Sequence, residues 1–219
     1  MSKKSVKVLF ATLFILGGGR AAGAQELPFG EPRSVVLSAE RLFGFVHSSA
    51  TQTVGGLDVT SSQDAFSLLS NPIAAESSSY GWPRVSLDVF VANNVSVGGA
   101  VAYFNLSRSQ SSTTGVLFAP RAGFAAHLTS RVSIWLRGGF TYESFSDRVN
   151  VVAGAATTTT TFFALTMEAP LVISILPHVG LLIGPSLDYG LSGSVSTGGS
   201  SVDQRNTDFG IHAGLLAQF

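Results

Sequence analysis

The sequence predicts an all-β fold: a transmembrane antiparallel up-and-down β-barrel of eight strands. Three observations carry that expectation. The chain is apolar overall, with 45% hydrophobic and only 12% charged residues, yet no apolar run survives long enough to span a bilayer as a helix. The longest candidate, "FFALTMEAPLVISIL", is broken by Glu168 and Pro170. Apolar residues instead recur at every second position in segments of about ten residues, the length a tilted strand needs to cross a membrane. Finally, the connections between these segments alternate short and long.

Residues 1–24 read as an export signal and stand outside the fold. Lys3, Lys4 and Lys7 form a basic start, Val8 to Leu16 a short apolar stretch, and Ala22-Gly23-Ala24 before Gln25 a small-residue cleavage site. Every lysine lies in this segment. The remaining 25–219 carry nine Arg against 13 acidic residues, a formal charge of −4. Nucleic acid is therefore excluded as a partner, because it calls for clustered basic residues. With no cysteine in the chain, disulfides and cysteine-based zinc sites are excluded too.

The predicted strands, in order, lie near Val35–Val46, Arg84–Ala92, Val95–Leu106, Gly115–Leu128, Val132–Ser144, Thr160–Ile173, Val179–Ser192 and Thr207–Phe219. In the first, adjacent Glu40 and Arg41 conflict with strict alternation, so one faces outward unless a bulge resets the register. In the fourth, Val116, Phe118, Pro120, Ala122, Phe124, Ala126 and Leu128 share one face, opposite Leu117, Ala119, Arg121, Gly123, Ala125 and His127. The fifth sets Val132, Ile134, Leu136, Phe140 and Tyr142 against Ser133, Trp135, Arg137, Gly139, Thr141 and Glu143. The seventh sets Leu181, Ile183, Pro185, Leu187 and Tyr189 against Gly180, Leu182, Gly184, Ser186 and Asp188. One face is continuous hydrocarbon, and the other is small, polar and charged. A soluble barrel would invert this arrangement and carry more surface charge.

Short connections fall at Asn93-Asn94, at "TSR" and at "ILPH", all turn chemistry. Long ones are expected at 48–83, 107–114, 145–159 and 193–206. The first of these contains "SSQDAFSLLSNP", where Ser62 could cap a short helix; Phe66, Leu68 and Leu69 would then cover the mouth or meet a surface partner. "TTTTT" at 157–161 extends a hairpin above the membrane. Tyr80, Trp82, Tyr103, Tyr142 and Tyr189 fall at the loop ends of their strands, the level of an interfacial aromatic girdle.

The last strand, "DFGIHAGLLAQF", alternates Phe209, Ile211, Ala213, Leu215, Ala217 and Phe219 on one face. With the export signal, the amphipathic strands and the alternating loops, the chain resembles the small eight-stranded bacterial outer-membrane barrels, the OmpA-like and OmpW-like group. That resemblance implies a Gram-negative outer-membrane location with both termini periplasmic. It also implies outer-membrane lipids and the barrel-assembly machinery as partners, with Phe219, Leu215 and Ile211 as the assembly signal.

The inward faces collect Asp88, Arg121, Arg137, Glu143, Glu168, Asp188 and Asp208, together with His127 and His212. Charges in a narrow barrel require partners, so a paired interior network is expected. His127 with Ser130, and His47 with Ser48 or Ser49, are the nearest Ser/His pairs; the first lies at the short-turn side with no neighbouring carboxylate, and the second sits at a loop start where any Ser-rich sequence supplies a partner. His47, His127, His178 and His212 lack metal-ligand spacing. No catalytic residue, metal or cofactor is expected. The functional expectation is a non-enzymatic outer-membrane protein serving envelope integrity or surface interaction, with a possible ligand at the loops. A narrow channel for small or hydrophobic solutes is the second reading, and a lipid-A-modifying enzyme the third.

Overall fold

The computed structural model describes residues 29–68, 82–107, 110–151 and 154–219, so the export signal and Tyr80 lie outside the described residues. Ten strands form one antiparallel sheet: β1 (Val35–Val54), β2 (Leu57–Leu68), β3 (Arg84–Ala92), β4 (Val95–Ser107), β5 (Ser111–His127), β6 (Val132–Val151), β7 (Gly154–Glu168), β8 (Leu171–Leu176), β9 (Val179–Thr197) and β10 (Ser200–Gln218). Strands consecutive in the chain pair with one another except β2 with β3 and β7 with β8, and β10 closes on β1 from Val36↔Gln218 up to Thr53↔Asp203. Val35 and Phe219 exchange both backbone hydrogen bonds at 2.9 Å, which removes the free edge at that end.

Ten strands make eight staves because two staves are interrupted. β7 and β8 are halves of one stave, since β6 and β9 each pair with both. The break falls at Ala169-Pro170, where proline has no N–H to donate. β2 and β3 likewise share the same edge of β1, β2 along Phe43–Val54 and β3 along Val35–Glu40. Residues 69–83 are inserted between them.

Much of what composition marks as loop is strand. The β1–β2 and β9–β10 hairpins rise to Gly55-Gly56 and Gly198-Gly199, whose positive φ angles of 60°, 81°, 59° and 89° suit the two-residue turns that match strand twist. Ser62 pairs with Ser49 in β2, so the expected helix cap is part of a ladder. The physical reason is that these hairpins stand clear of the barrel core: most of β2 is exposed on both faces, and without one buried face its sequence shows no apolar alternation. Its pairing is read instead from hydroxyl pairs such as Thr51–Thr60 at 3.0 Å and, on the β7–β9 side, Thr158–Thr197 at 2.8 Å.

Side chains fill the interior in layers, and the inner face of β6 samples them in order: Trp135, Arg137, Gly139, Thr141, Glu143, Phe145. At the turn end an apolar layer joins Phe29, Val36, Phe90, Trp135, Leu182 and Leu216. Phe29 belongs to the segment before β1 and tucks under the barrel, its ring edge-on to Phe90 and to Trp135 at 5.2 Å each. At the hairpin end, Trp82, Leu117, Phe145 and Phe162 form a second apolar layer, with Phe104 packed against it. Charged residues lie between. On the outside, Phe45, Leu87, Val101, Phe118, Leu136, Phe140, Met167 and Ile211 are all exposed. An apolar surface that wraps every stave has no place in water and matches a lipid-facing belt.

Candidate functional site

The charged layer is organised around β1. Between Ala39 and Phe43 the β1–β10 register shifts, two β1 residues being accommodated as a bulge, and Arg41 adopts φ 54°. That bulge turns both Glu40 and Arg41 inward, at 0% and 1% exposure, which resolves the conflict that strict alternation poses. Gly214 makes room opposite: a Cβ there would lie 3.0 Å from the Glu40 Cα.

Glu40 is the hub. Its Oε1 accepts from Arg121 Nη2 at 2.7 Å and Arg137 Nη1 at 2.6 Å, and from the hydroxyls of Ser38 at 2.8 Å and Ser86 at 3.0 Å. Its Oε2 accepts from Arg121 Nη1 at 2.8 Å. Arg121 also reaches Asp88 through Nε at 3.1 Å and Nη2 at 2.6 Å. Arg137 pairs with Glu168 at 2.8 Å and lies over the Trp135 ring at 4.5 Å. Arg41 completes the far side, binding Asp188 at 2.7 Å and Glu168 at 3.1 Å. Ion pairs at these distances, shielded from water, are strongly coupled, and loss of one member strands its partners.

Of the residues expected in the interior, Asp88, Arg121, Arg137, Glu168 and Asp188 meet in this one network. Glu143 and Asp208 line a small cavity nearer the hairpin end. Both are buried. No hydrogen-bond donor among the described residues reaches either oxygen of Glu143. His212 is buried, whereas His127 is exposed at the turn end, bonded to Ser133 at 3.0 Å and Asn94 at 2.9 Å rather than to Ser130. His47 pairs with Asp64 at 2.8 Å on the exposed hairpin, not with Ser48 or Ser49. Among the described residues, no three His, Cys, Asp or Glu side chains are grouped to hold a metal.

Among the described residues, three buried charges lie outside the set expected from the sequence. Glu40 and Arg41 are hidden by the bulge. Arg84 is buried at 1% exposure, and none of its guanidinium nitrogens has an acceptor within hydrogen-bond reach among the described residues. Its signal is present in the sequence: Arg84, Ser86 and Asp88 share a face at period two.

Trp82 is a correction. It is 3% exposed and points into the barrel, edge-on to Phe104 at 4.1 Å, so it cannot serve in an external girdle. It precedes β3 at the interrupted stave, where no strand alternation fixes its face. Tyr103, Tyr142 and Tyr189 do face outward, at 69%, 46% and 53% exposure, as do Ile211, Leu215 and Phe219.

No protein family and no characterised relative matches the sequence. Solved structures do match in shape. The outer membrane protein OprG from Pseudomonas aeruginosa aligns with a TM-score of 0.50 at 10% identity, covering 86% of this chain and 97% of OprG. The N-terminal β-barrel domain of Pseudomonas aeruginosa OprF gives 0.49 at 10% identity over 86% and 98% of the two chains. Neisserial surface protein A gives 0.47 at 15% identity over 85% and 97%. At the identity of the OprG match the likeness concerns the fold, and it agrees with the strand pairing: the chain has the fold of a small eight-stranded outer-membrane β-barrel.

Proposed function

We propose that the protein resides in the bacterial outer membrane as a barrel closed by its own side chains, and serves envelope integrity or surface interaction instead of conducting solute. The observation that carries this reading is the layered interior, a paired ionic layer held between two apolar layers. Eight strands enclose a space that side chains fill, and the apolar layers deny ions a continuous wet path. In this reading residues 1–24 direct export, both ends of the barrel chain lie in the periplasm, and the tall hairpins stand at the cell surface, where a ligand would meet them. Tyr103, Tyr142 and Tyr189 anchor the outer interface, and the outward residues Ile211, Leu215 and Phe219 present the last strand to the assembly machinery.

The reading is tested by expressing the full chain in a Gram-negative host, followed by membrane fractionation and gel migration with and without boiling. Outer-membrane recovery and a compact, heat-modifiable band are expected. Liposomes carrying the refolded protein should swell no faster than empty ones in isosmotic arabinose. A soluble monomer would sink the membrane assignment, and rapid swelling would replace closure with a channel.

A further inference from the structure

The interior leaves little room for a ligand. The cavities lined by Arg84 and by Glu143 offer about 10 Å³ each, space for a single water. A far larger hollow, of about 710 Å³, lies on the outer wall. It follows one row across the staves, in which Ala122, Gly138, Met167, Leu187 and Phe209 are paired in succession from β5 to β10. Ala122 and Gly138 are the small members, and the wall dips at them between the bulkier Phe124, Leu136 and Met167. A Cβ on Gly138 would meet nothing nearer than a backbone oxygen at 3.9 Å, so this glycine opens onto free space. The dip continues to Ala169, at the break in the stave, and to Pro185. Ala169 N–H donates to the Pro185 oxygen at 3.0 Å, but Pro185 has no N–H to return, which thins the ladder there.

The surroundings decide what fills this hollow. Phe124, Leu136, Met167 and Phe209 on its rim are apolar and exposed, so it opens within the lipid-facing belt, where hydrocarbon reaches it. Its height is set by the tyrosines. Leu187 is one outward step below Tyr189, and Gly138 is two below Tyr142, which puts the hollow in the hairpin-side half of the belt. On β10 the same outward face continues through Phe209, Thr207 and Arg205. Arg205 is exposed, four residues or about 13 Å beyond Phe209 toward the hairpin. A chain lying in the hollow therefore brings an anionic head to a guanidinium group. A second copy of the barrel fits poorly, because a two-fold contact would set the concave patch against itself.

We propose that the hollow seats an acyl chain of lipid A, with a lipid A phosphate at Arg205. The site rests on the outer-membrane reading, in which the hairpins stand at the cell surface. The hairpin-side level selects lipid A, since phospholipid occupies the opposite leaflet.

The test uses the full chain expressed in a Gram-negative host, extracted from the membrane in non-ionic detergent and examined by native mass spectrometry. Diphosphorylated lipid A and phosphatidylethanolamine are added separately, and the wild type is expected to retain lipid A in preference. Gly138→Phe fills the hollow from its open side and should lose that preference; Ala122→Phe carries the test if Gly138→Phe does not fold. Arg205→Gln should bind lipid A about fivefold more weakly. Leu87→Phe, on the exposed wall of β3, should bind as wild type. Equal retention of both lipids by the wild type overturns the site. So does undiminished lipid A binding by a folded Gly138→Phe or Ala122→Phe barrel, or by Arg205→Gln. A heat-modifiable band in the same preparation keeps these results apart from failure of the membrane reading, since a water-soluble monomer would remove both.

Discussion

Glu40 and Glu143 are both buried carboxylates inside one barrel, yet they are treated in opposite ways. Glu40 accepts from two arginines and two serines, whereas Glu143 meets no donor among the described residues. The difference lies in backbone context. Glu40 sits at a bulge that aims two consecutive residues into the lumen, so acid and base arrive together and recruit Arg121 and Arg137 from β5 and β6. Glu143 lies on a regular stretch of β6 between Thr141 and Phe145, and its neighbours across the cavity are small or acidic: Ala164, Gly190 and Asp208. Density of charge therefore does not make a network. Register does.

The largest effect should come from breaking the paired side of this contrast. Glu40→Ala leaves Arg121 and Arg137 short of their shared acceptor and should destabilise the barrel by about 3–5 kcal/mol, measured by urea unfolding in lipid vesicles. If Glu143→Ala costs as much, the two carboxylates are equivalent and the comparison fails. Next comes the lipid-facing wall. Leu136 is exposed on the outer face of β6, and Leu136→Arg should cost about 2–4 kcal/mol if that face meets the bilayer midplane; a neutral result in vesicle unfolding would mean that the face meets water. Gly214→Ala forces a methyl against Ala39 and Glu40 at the bulge and should cost about 1–3 kcal/mol in the same assay. The smallest effect belongs to the hairpins: Thr158→Ala removes a cross-strand hydroxyl pair with Thr197 and should change stability by about 0.2–1 kcal/mol.

The parts of the fold that were legible in sequence are those where one face is buried and the other meets lipid. In Val116–Phe124 of β5, Val132–Tyr142 of β6, Val179–Tyr189 of β9 and Phe209–Ala217 of β10 every second residue is apolar or glycine and faces outward, and the buried positions alternate with them. Legibility ends where the two-residue period ends. The bulge at Glu40-Arg41 adds residues that no alternation predicts. The tall hairpins are exposed on both faces, so their Ser- and Thr-rich strands read as loops. Phe29 and Trp82 reach the interior from segments outside any strand, guided by packing against Phe90, Trp135 and Phe104. The interior charges on regular strands were visible as a set, but which of them pair depends on the bulge.

Closure of the lumen is tested most directly by planar-bilayer recording of the refolded wild-type barrel beside Arg121→Ala and Arg137→Ala. The ionic layer is backed by apolar layers on both sides, so all three proteins should give a flat current trace without discrete steps. Reproducible unitary steps from the wild type would contradict the account, because they would require a continuous water path through the layers of Trp135 and Phe145.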